Sequence, residues 1–212
     1  MKSLQQSILQ RLRTSAAGSV HTPKDYLDLG SRAAMDQTLS RLVRAGHLQR
    51  AGRGLYHVPR MNRRFGIAIP PDVNQLAAAL ARKTGSRLLP SGAAAANQLG
   101  LSTQVPAKAV YLTDGRSRRV RVGGGAFDIQ FKHVAQGHFN VQHHTSTLVF
   151  QALRYLGKDA IGDRTLRALR AALTPAQRRG LHHDARYAPA WVAGIVRGLD
   201  KDTPTPQNLR QG

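Results

Sequence analysis

Residues 31–59 read SRAAMDQTLSRLVRAGHLQRAGRGLYHVP, and two different periodicities meet within this stretch. In its first half, the side chains expected on one face recur at three- and four-residue steps, as they do along an α-helix. They are Ala34, Met35, Thr38, Leu39, Leu42 and Val43. Ser31 is placed to cap the start of this helix, and Gly46 is placed to end it in a left-handed conformation.

The second half of the stretch has the pattern of two short strands. Leu48 and Arg50 precede a glycine-rich turn at residues 51–54, and the apolar run 55–58 follows it. A helix followed at once by a basic hairpin is typical of the second half of a winged helix-turn-helix. In that motif the helix enters the DNA major groove and the hairpin lies beside the backbone.

The residues before this stretch supply the remaining helices of such a motif. Leu4, Ile8 and Leu12 form an apolar stripe over residues 3–14. Thr22-Pro23 favours the start of a short second helix over residues 24–29. We therefore predict a winged helix-turn-helix DNA-binding domain over residues 1–60.

The charge of the chain points to a polyanionic partner. Its 212 residues carry 32 Lys and Arg against 11 acidic residues, a formal net charge of +21. All 11 acids are Asp, and Arg outnumbers Lys by 25 to 7. GC-rich codon usage would explain Arg in place of Lys but not the scarcity of acids. Nucleic acid is the partner that such a balance favours.

Other classes of protein are disfavoured by what the sequence lacks. There is no cysteine, which excludes a disulfide framework and a thiolate zinc site. The N-terminal residues have no apolar segment of a secretory signal, and no apolar run approaches the ~20 residues of a membrane span. We expect a cytoplasmic protein without a membrane partner.

For DNA binding, the expected contacts lie on the exposed face of the predicted helix and on the hairpin. Glutamine pairs with adenine and arginine with guanine, whereas arginines on the hairpin are expected on phosphates. Asp36 would either accept from cytosine or hold Arg32 in place. The predicted contact residues are Ser31, Arg32, Gln37, Ser40, Arg41, Arg44, Arg50, Arg53, Tyr56 and His57. Each arginine alone is equally consistent with an ordinary solvated charge, so the prediction concerns the set.

The rest of the chain is predicted to be a linker (61–72), a mixed α/β domain (73–200) and a polar, proline-rich flexible tail (201–212), giving an α+β protein overall. Helical periodicity recurs over 73–84, 91–99, 147–156, 163–173, 175–181 and 189–199, and a strand interrupted by Pro106 is expected over 105–112. The later helices predict a C-terminal bundle. Asp163 is expected as an N-cap, and Trp191 as a core residue.

A second basic hairpin is predicted where the chain reads SRRVRVGGGAFDIQFKHV. Alternation places Arg119 and Arg121 on one face and Val120 and Val122 on the other, with the three glycines as the turn. The second basic patch is predicted to comprise Arg116, Arg118, Arg119, Arg121 and Lys132. It is interpreted as a nucleic-acid surface or a docking face for an acidic partner, and alternatively as the ordinary wet face of a half-buried sheet.

No motif for catalysis or metal binding emerges. His182, His183 and Asp184 could be imagined as a ligand cluster, but neighbouring side chains point apart and lack the one-face spacing of zinc sites. There is no glutamate, no HExxH motif, and no Lys-Ser or Lys-Thr after the glycine run at 123–125. We expect a binding protein rather than an enzyme, with no metal and no cofactor.

The run TLSRLVRAGHLQRAGRGLYHVP resembles the N-terminal domain of AbiEi-type antitoxins of type IV toxin–antitoxin systems, which act in phage defence. The likeness extends over about residues 3–200, through RLLPSGAAAANQLGLSTQVPAKAVYLTDG, RRVRVGGGAFDIQFKHV and LVFQALRYLGKDAI.

The resemblance implies a transcriptional repressor. It would bind inverted repeats in double-stranded operator DNA upstream of its own operon, as a monomer or a weak dimer that is cooperative on DNA. It would also oppose a nucleotidyltransferase-like toxin without a tight complex. The alternative is an RNA-binding or toxin-binding adaptor in which the winged helix is only a scaffold.

Overall fold

The computed structural model describes residues 3–16, 18–62, 64–104 and 107–199, which form an α+β fold. The α-helices are α1 (Leu4–Thr14), α2 (Arg32–Arg44), α3 (Val73–Thr84), α4 (Gly92–Gln98), α5 (His144–Leu156), α6 (Asp163–Ala172), α7 (Pro175–Asp184) and α8 (Ala190–Gly198). The strands are β1 (Val20–His21), β2 (Gln49–Gly52), β3 (Leu55–His57), β4 (Arg60–Asn62), β5 (Ile67–Ile69), β6 (Leu88–Pro90), β7 (Ala109–Thr113), β8 (Arg118–Val122) and β9 (Phe127–His133). The mixed class agrees with the predicted one.

The chain divides into two compact units, and each of them is discontinuous in sequence. Unit 1 comprises residues 1–88 and 108–133, and unit 2 comprises residues 89–107 and 134–212. This division differs from the predicted boundary at residue 60. The reason is a shared core, because Leu55 of β3 packs with Leu76 of α3 and Phe131 of β9. Residues 1–60 therefore do not enclose all of their apolar side chains.

The first part of unit 1 runs α1, β1, a 3₁₀ helix, α2, β2 and β3. Its three strands form an antiparallel sheet in the order β1-β3-β2. The predicted second helix, 24–29, is instead the 3₁₀ helix Pro23–Tyr26, since only one short turn fits before the chain enters α2. The small core below α2 contains Ile8, Leu12, Tyr26, Met35, Leu39, Leu42, Leu48 and Tyr56.

Both predicted ends of α2 are confirmed. The Ser31 hydroxyl accepts a hydrogen bond from the Ala34 amide at 3.3 Å, so Ser31 caps the helix. Gly46 has a φ of +76°, the left-handed conformation that other residues adopt at a cost. These ends fix the length of α2 and the point where the chain turns into β2.

The predicted linker at 61–72 contains a second small hairpin, which corrects that prediction. β4 pairs with β5 in an antiparallel ladder that joins Arg60 to Ile69 and Met61 to Ala68. Met61, Phe65 and Ile67 are exposed on this hairpin, so its apolar pattern does not mark a buried element.

The remainder of unit 1 is a sheet packed on α3. β8 and β9 form the predicted hairpin, with β9 also parallel to β7. The turn between β8 and β9 has three glycines with positive φ. β7 begins at Ala109, and residues 105–106 of the longer predicted strand lie outside the described residues.

Unit 2 is mainly helical, and its larger core is built from α5 to α8. Buried members of that core include Val149, Phe150, Leu153, Leu169, Leu181, Val192 and Val196. Trp191 is partly buried against this cluster, as expected. Gly162, rather than the predicted Asp163, occupies the N-cap of α6, and Asp163 is its first residue. The predicted flexible tail lies outside the described residues.

A second contact in unit 2 joins α4 to α5 through small side chains. Ala95, Ala96 and Ala152 are fully buried between the two helices. At the start of α4, a methyl group on Gly92 would lie 2.4 Å from Cβ of Tyr155 and 2.8 Å from the Gln151 carbonyl oxygen. Over the described parts of the chain, none of the helices is sufficiently long and apolar to traverse a bilayer.

Candidate nucleic-acid interface

A groove of about 510 Å³ in unit 1 lies between α2, the β2–β3 hairpin and α3. Its lining residues are Arg32, Asp36, Ser40, Arg50, Arg53, Gly54, Tyr56 and Lys83. The structure thus brings predicted contact residues from the helix and the hairpin to one concave surface. It adds a lysine from a helix that the sequence placed in a separate domain.

The outer face of α2 is polar and accessible. Met35 and Leu39 are fully buried on the inner side, while Gln37, Arg41 and Arg44 are exposed. Among the described residues, no side-chain hydrogen bond or ion pair involves these three exposed side chains. They are available to a ligand without first losing an internal partner.

The first turn of α2 carries an ion pair. Arg32 Nε lies 3.0 Å from Asp36 Oδ2, with both side chains about half exposed. Of the two roles considered for Asp36, the structure therefore shows the one in which it holds Arg32. Ser31 uses its hydroxyl as the helix cap, so its place among the predicted contacts is that of a cap rather than a free side chain.

Two predicted hairpin contacts are buried, which corrects their assignment. Tyr56 is 3 % exposed and packs in the core below α2, although it also contributes to the lining of the groove. His57 is 6 % exposed, and burial lowers the pKa of its imidazole, which favours the neutral form. A phosphate contact needs an exposed donor, so these two side chains do not fit that role.

The two hairpin arginines are exposed at the groove. The Arg50 guanidinium lies 5.5 Å from the centre of the Tyr56 ring, a cation–π contact that holds it over the hairpin. Arg53 lies in the turn between β2 and β3, and its side chain has no hydrogen-bond partner within the described ranges. Both cations therefore face solvent from a fixed backbone.

Lys83 of α3 connects that turn to the rest of unit 1. Its Nζ donates a hydrogen bond to the Arg53 carbonyl oxygen at 2.7 Å. Burial lowers the pKa of the Lys83 ammonium group. The positive charges of Arg53, Arg32 and Arg118 lower this pKa further. Arg32, Arg53 and Lys83 thus line the groove in mutual repulsion, which an anionic ligand would relieve.

The carboxylates of unit 1 do not neutralise this surface, because its six Asp side chains already have partners. Asp25 accepts from Arg82, Asp28 from Arg11, Asp36 from Arg32, Asp114 from Arg87 and Asp128 from Arg119, while Asp72 caps α3. Of these six aspartates, only Asp36, which is paired with Arg32, lines the groove. The positive charge of Arg50, Arg53 and Lys83 therefore remains uncompensated there.

The second basic patch is smaller than predicted. Arg118 lies on the inner face of its sheet, where it donates to the Leu80 carbonyl at 3.3 Å and its guanidinium sits 4.7 Å from the centre of the Phe131 ring. It stabilises the packing of α3 on the sheet rather than contributing to an outer surface.

The outer face of that sheet carries Arg119, Arg121 and Lys132, as the alternation predicts. The Arg119–Asp128 ion pair holds the pKa of the aspartate below its usual range, and Arg121 adds to the effect. Arg116 is exposed in the loop before β8. The face is therefore partly neutralised, and it is a weaker candidate for polyanion binding than the groove.

Lys83 was not found from the sequence, although the basic end of the 73–84 helix was visible. Replacing Lys83 with methionine is expected to loosen the β2–β3 turn by roughly 1 kcal/mol, because the Arg53 carbonyl loses its donor. Hydrogen exchange of the amides at 52–55 should accelerate about fivefold. Lys158→Met, at an exposed lysine of unit 2, is the matched control and should leave this exchange unchanged. Equal protection in both variants would show that Lys83 does not hold the turn.

Comparison with known proteins adds a family but no activity. A protein-family model described as "Family of unknown function (DUF6088)" matches residues 7–181. The chain belongs to this family. The DUF6088 match includes the whole groove and most of unit 2, and its description assigns no function.

Two further comparisons indicate no function for this DUF6088 chain. No curated protein matches it. Among solved structures, it is similar to one described as "Crystal structure of RV2827C protein from Mycobacterium tuberculosis", with 16 % identity and a TM-score of 0.43. That likeness covers 94 % of this chain and 76 % of the other. At this level of similarity we take no property from it.

Proposed function

We propose that this DUF6088 protein binds duplex DNA through α2 and the β2–β3 hairpin, and that the first part of unit 1 acts as a winged helix-turn-helix. The observation that carries the proposal is the groove, where cations from three elements converge, where Asp36 is paired with Arg32, and from which the other carboxylates of unit 1 are absent. The element order and the β1-β3-β2 sheet support it, because they place a hairpin directly beside an exposed helix.

In this proposal α2 lies in the major groove and the hairpin lies along the backbone. Gln37 and Arg44 are exposed two turns apart on the outer face of α2, with side chains that match adenine and guanine edges. Arg50 and Arg53 contact phosphates, and Arg41 extends the phosphate contacts at the flank of the helix. Lys83 holds the turn between the two hairpin strands in position.

The biological role that we propose rests on the resemblance to AbiEi-type antitoxins. The protein would repress its own operon through inverted repeats and oppose a nucleotidyltransferase-like toxin without forming a tight complex with it. Such a regulator acts in the cytoplasm as a non-enzymatic binding protein. It would occupy its operator as a monomer or a weak dimer.

Salt dependence tests the proposal directly. Three phosphate contacts, from Arg41, Arg50 and Arg53, predict that the logarithm of the DNA-binding constant falls with the logarithm of salt concentration with a slope of about −3. Fluorescence anisotropy with a labelled duplex from upstream of the gene, titrated at several salt concentrations, measures the slope. A flat dependence would contradict binding through this groove.

The same titration with RNA separates the proposal from the adaptor alternative. A double-stranded RNA of the same sequence has a deep, narrow major groove that excludes a helix such as α2. We expect the DNA duplex to bind more tightly than this RNA duplex and than structured single-stranded RNA. The opposite order would favour an RNA-binding adaptor with the winged helix as a scaffold.

A further inference from the structure

Three side chains that commonly bind transition metals converge in unit 2, independently of the groove. His143 occupies the N-cap position of α5, and His183 and Asp184 are the last two residues of α7. One nitrogen of each imidazole and a carboxylate oxygen lie within 4.8 Å of one another. The sequence alone suggests His182 beside His183 and Asp184, because only neighbours along the chain are visible in it. The fold brings in a histidine from another helix.

Asp184 is the fixed centre of this cluster. Its side chain is completely buried, and its Oδ2 accepts hydrogen bonds from the His143 backbone amide at 2.9 Å and from His143 Nδ1 at 2.8 Å. Its Oδ1 faces His183 Nδ1 at 3.2 Å. These contacts hold the carboxylate in one orientation.

The two imidazoles are placed around this carboxylate by close packing. A methyl group on Gly180 of α7 would lie 3.0 Å from the His143 ring, so the absence of a side chain there lets the ring approach the helix. The His143 and His183 rings are nearly perpendicular, with their centres 6.0 Å apart. Both side chains are about half exposed, which leaves an open approach from solvent.

We propose that His143, His183 and Asp184 bind a divalent transition-metal ion of the zinc class. Nδ1 of each histidine and one carboxylate oxygen are the three protein ligands, and water takes the remaining position. Two imidazoles and a carboxylate suit Zn²⁺ or Co²⁺, whereas Ca²⁺ and Mg²⁺ prefer oxygen ligands alone. Each neutral imidazole that now donates from Nδ1 moves its proton to Nε2 when the metal binds, so the step releases no proton overall.

One neighbouring cation competes with the metal. The Arg186 guanidinium lies 3.0 Å from His183 Nε2. Because arginine can only donate, this contact keeps the proton of neutral His183 on Nδ1 and adds a positive charge beside the site. Arg186 is exposed, so its side chain can turn away when the metal enters. Its removal should therefore strengthen metal binding, an effect that a purely structural hydrogen-bond cluster would not produce.

Titration of the full-length protein with Co²⁺, followed by its visible absorption, tests the proposal. We expect one saturable site with the intense bands of tetrahedral cobalt, displaced by equimolar Zn²⁺. His143→Ala should abolish saturation, whereas His144→Ala, at the adjacent exposed histidine, should leave it unchanged. Arg186→Ala should tighten binding severalfold.

Circular dichroism of each variant, together with His143→Gln, separates ligand loss from misfolding. A folded His143→Gln variant that no longer binds Co²⁺ would support the site. Absence of a saturable site in the wild-type protein, or equal Co²⁺ affinity in the wild type and in His143→Gln, would overturn it. Neither outcome affects the DNA proposal, which concerns unit 1.

Discussion

The Arg50→Ala/Arg53→Ala double variant is expected to bind duplex DNA about 100-fold more weakly than the wild-type protein, because each substitution removes a charge-assisted contact of roughly 1.5 kcal/mol. The salt slope should also become less steep by about 2, since two fewer phosphates are neutralised. Both side chains are exposed, so the free energy of unfolding should change little. Fluorescence anisotropy at several salt concentrations provides both values.

The matched control removes the same charge from another surface. Arg164 and Arg167 are exposed on α6 in unit 2, and the Arg164→Ala/Arg167→Ala variant has the same net charge as the hairpin variant. It should keep the wild-type salt slope. An Arg119→Ala/Arg121→Ala variant tests the outer face of the second basic patch and should have a smaller effect, because Arg119 is already paired with Asp128. Equal losses in all three variants would mean that only total charge matters and that the groove is not the site.

The Gly92→Ala variant is expected to lose about 3 kcal/mol of unfolding free energy, the largest stability effect that we predict for a single methyl group. The added carbon would meet Cβ of Tyr155 at 2.4 Å and the Gln151 carbonyl oxygen at 2.8 Å. Neither obstacle is the free end of a flexible side chain, so α4 must move away from α5. Urea denaturation followed by circular dichroism measures the loss.

The same substitution elsewhere in unit 2 should have the opposite sign. Gly194 lies inside α8 with no atom within 4 Å of an added Cβ. Gly194→Ala should therefore raise the unfolding free energy by roughly 1 kcal/mol, since alanine loses less conformational freedom in a helix than glycine does. If both alanine variants were destabilised alike, the close approach of α4 and α5 would not be the cause.

Much of the secondary structure could be predicted because its signals are local. The ends of α2 depend on Ser31 and Gly46, which act within one helical turn of their own positions. The hairpin of β8 and β9 follows from strict alternation around the three glycines. The range of α3, residues 73–84, also coincides with its apolar period.

What the sequence did not reveal depends on contacts between distant segments. The pairing of β7 parallel to β9 joins strands separated by β8, and no local pattern specifies it. The division into two units could not be predicted for the same reason. Leu55, Leu76 and Phe131 are far apart in sequence, and only the tertiary structure shows that they share one core. β1 is too short, at two residues, to show a period.

The candidate groove was predicted only in part. Arg50 and Arg53 could be assigned because arginines in or close to the turn of such a hairpin are exposed wherever the hairpin packs. Tyr56 and His57 were misassigned because a short strand beside a basic turn does not say which of its faces is covered, and β3 is buried on both. Lys83 required the tertiary structure, because its partner, the Arg53 carbonyl, lies 30 positions earlier.

The discontinuity of unit 1 has a consequence for how the protein is made. α2 and the β2–β3 hairpin leave the ribosome before β9, but the core that covers Leu55 also needs Phe131 of β9. At about 5–20 residues per second, the nascent chain waits several seconds for that strand. During this interval the side of β3 that carries Leu55 is not yet covered by β9. We expect a ribosome-associated chaperone to bind this segment.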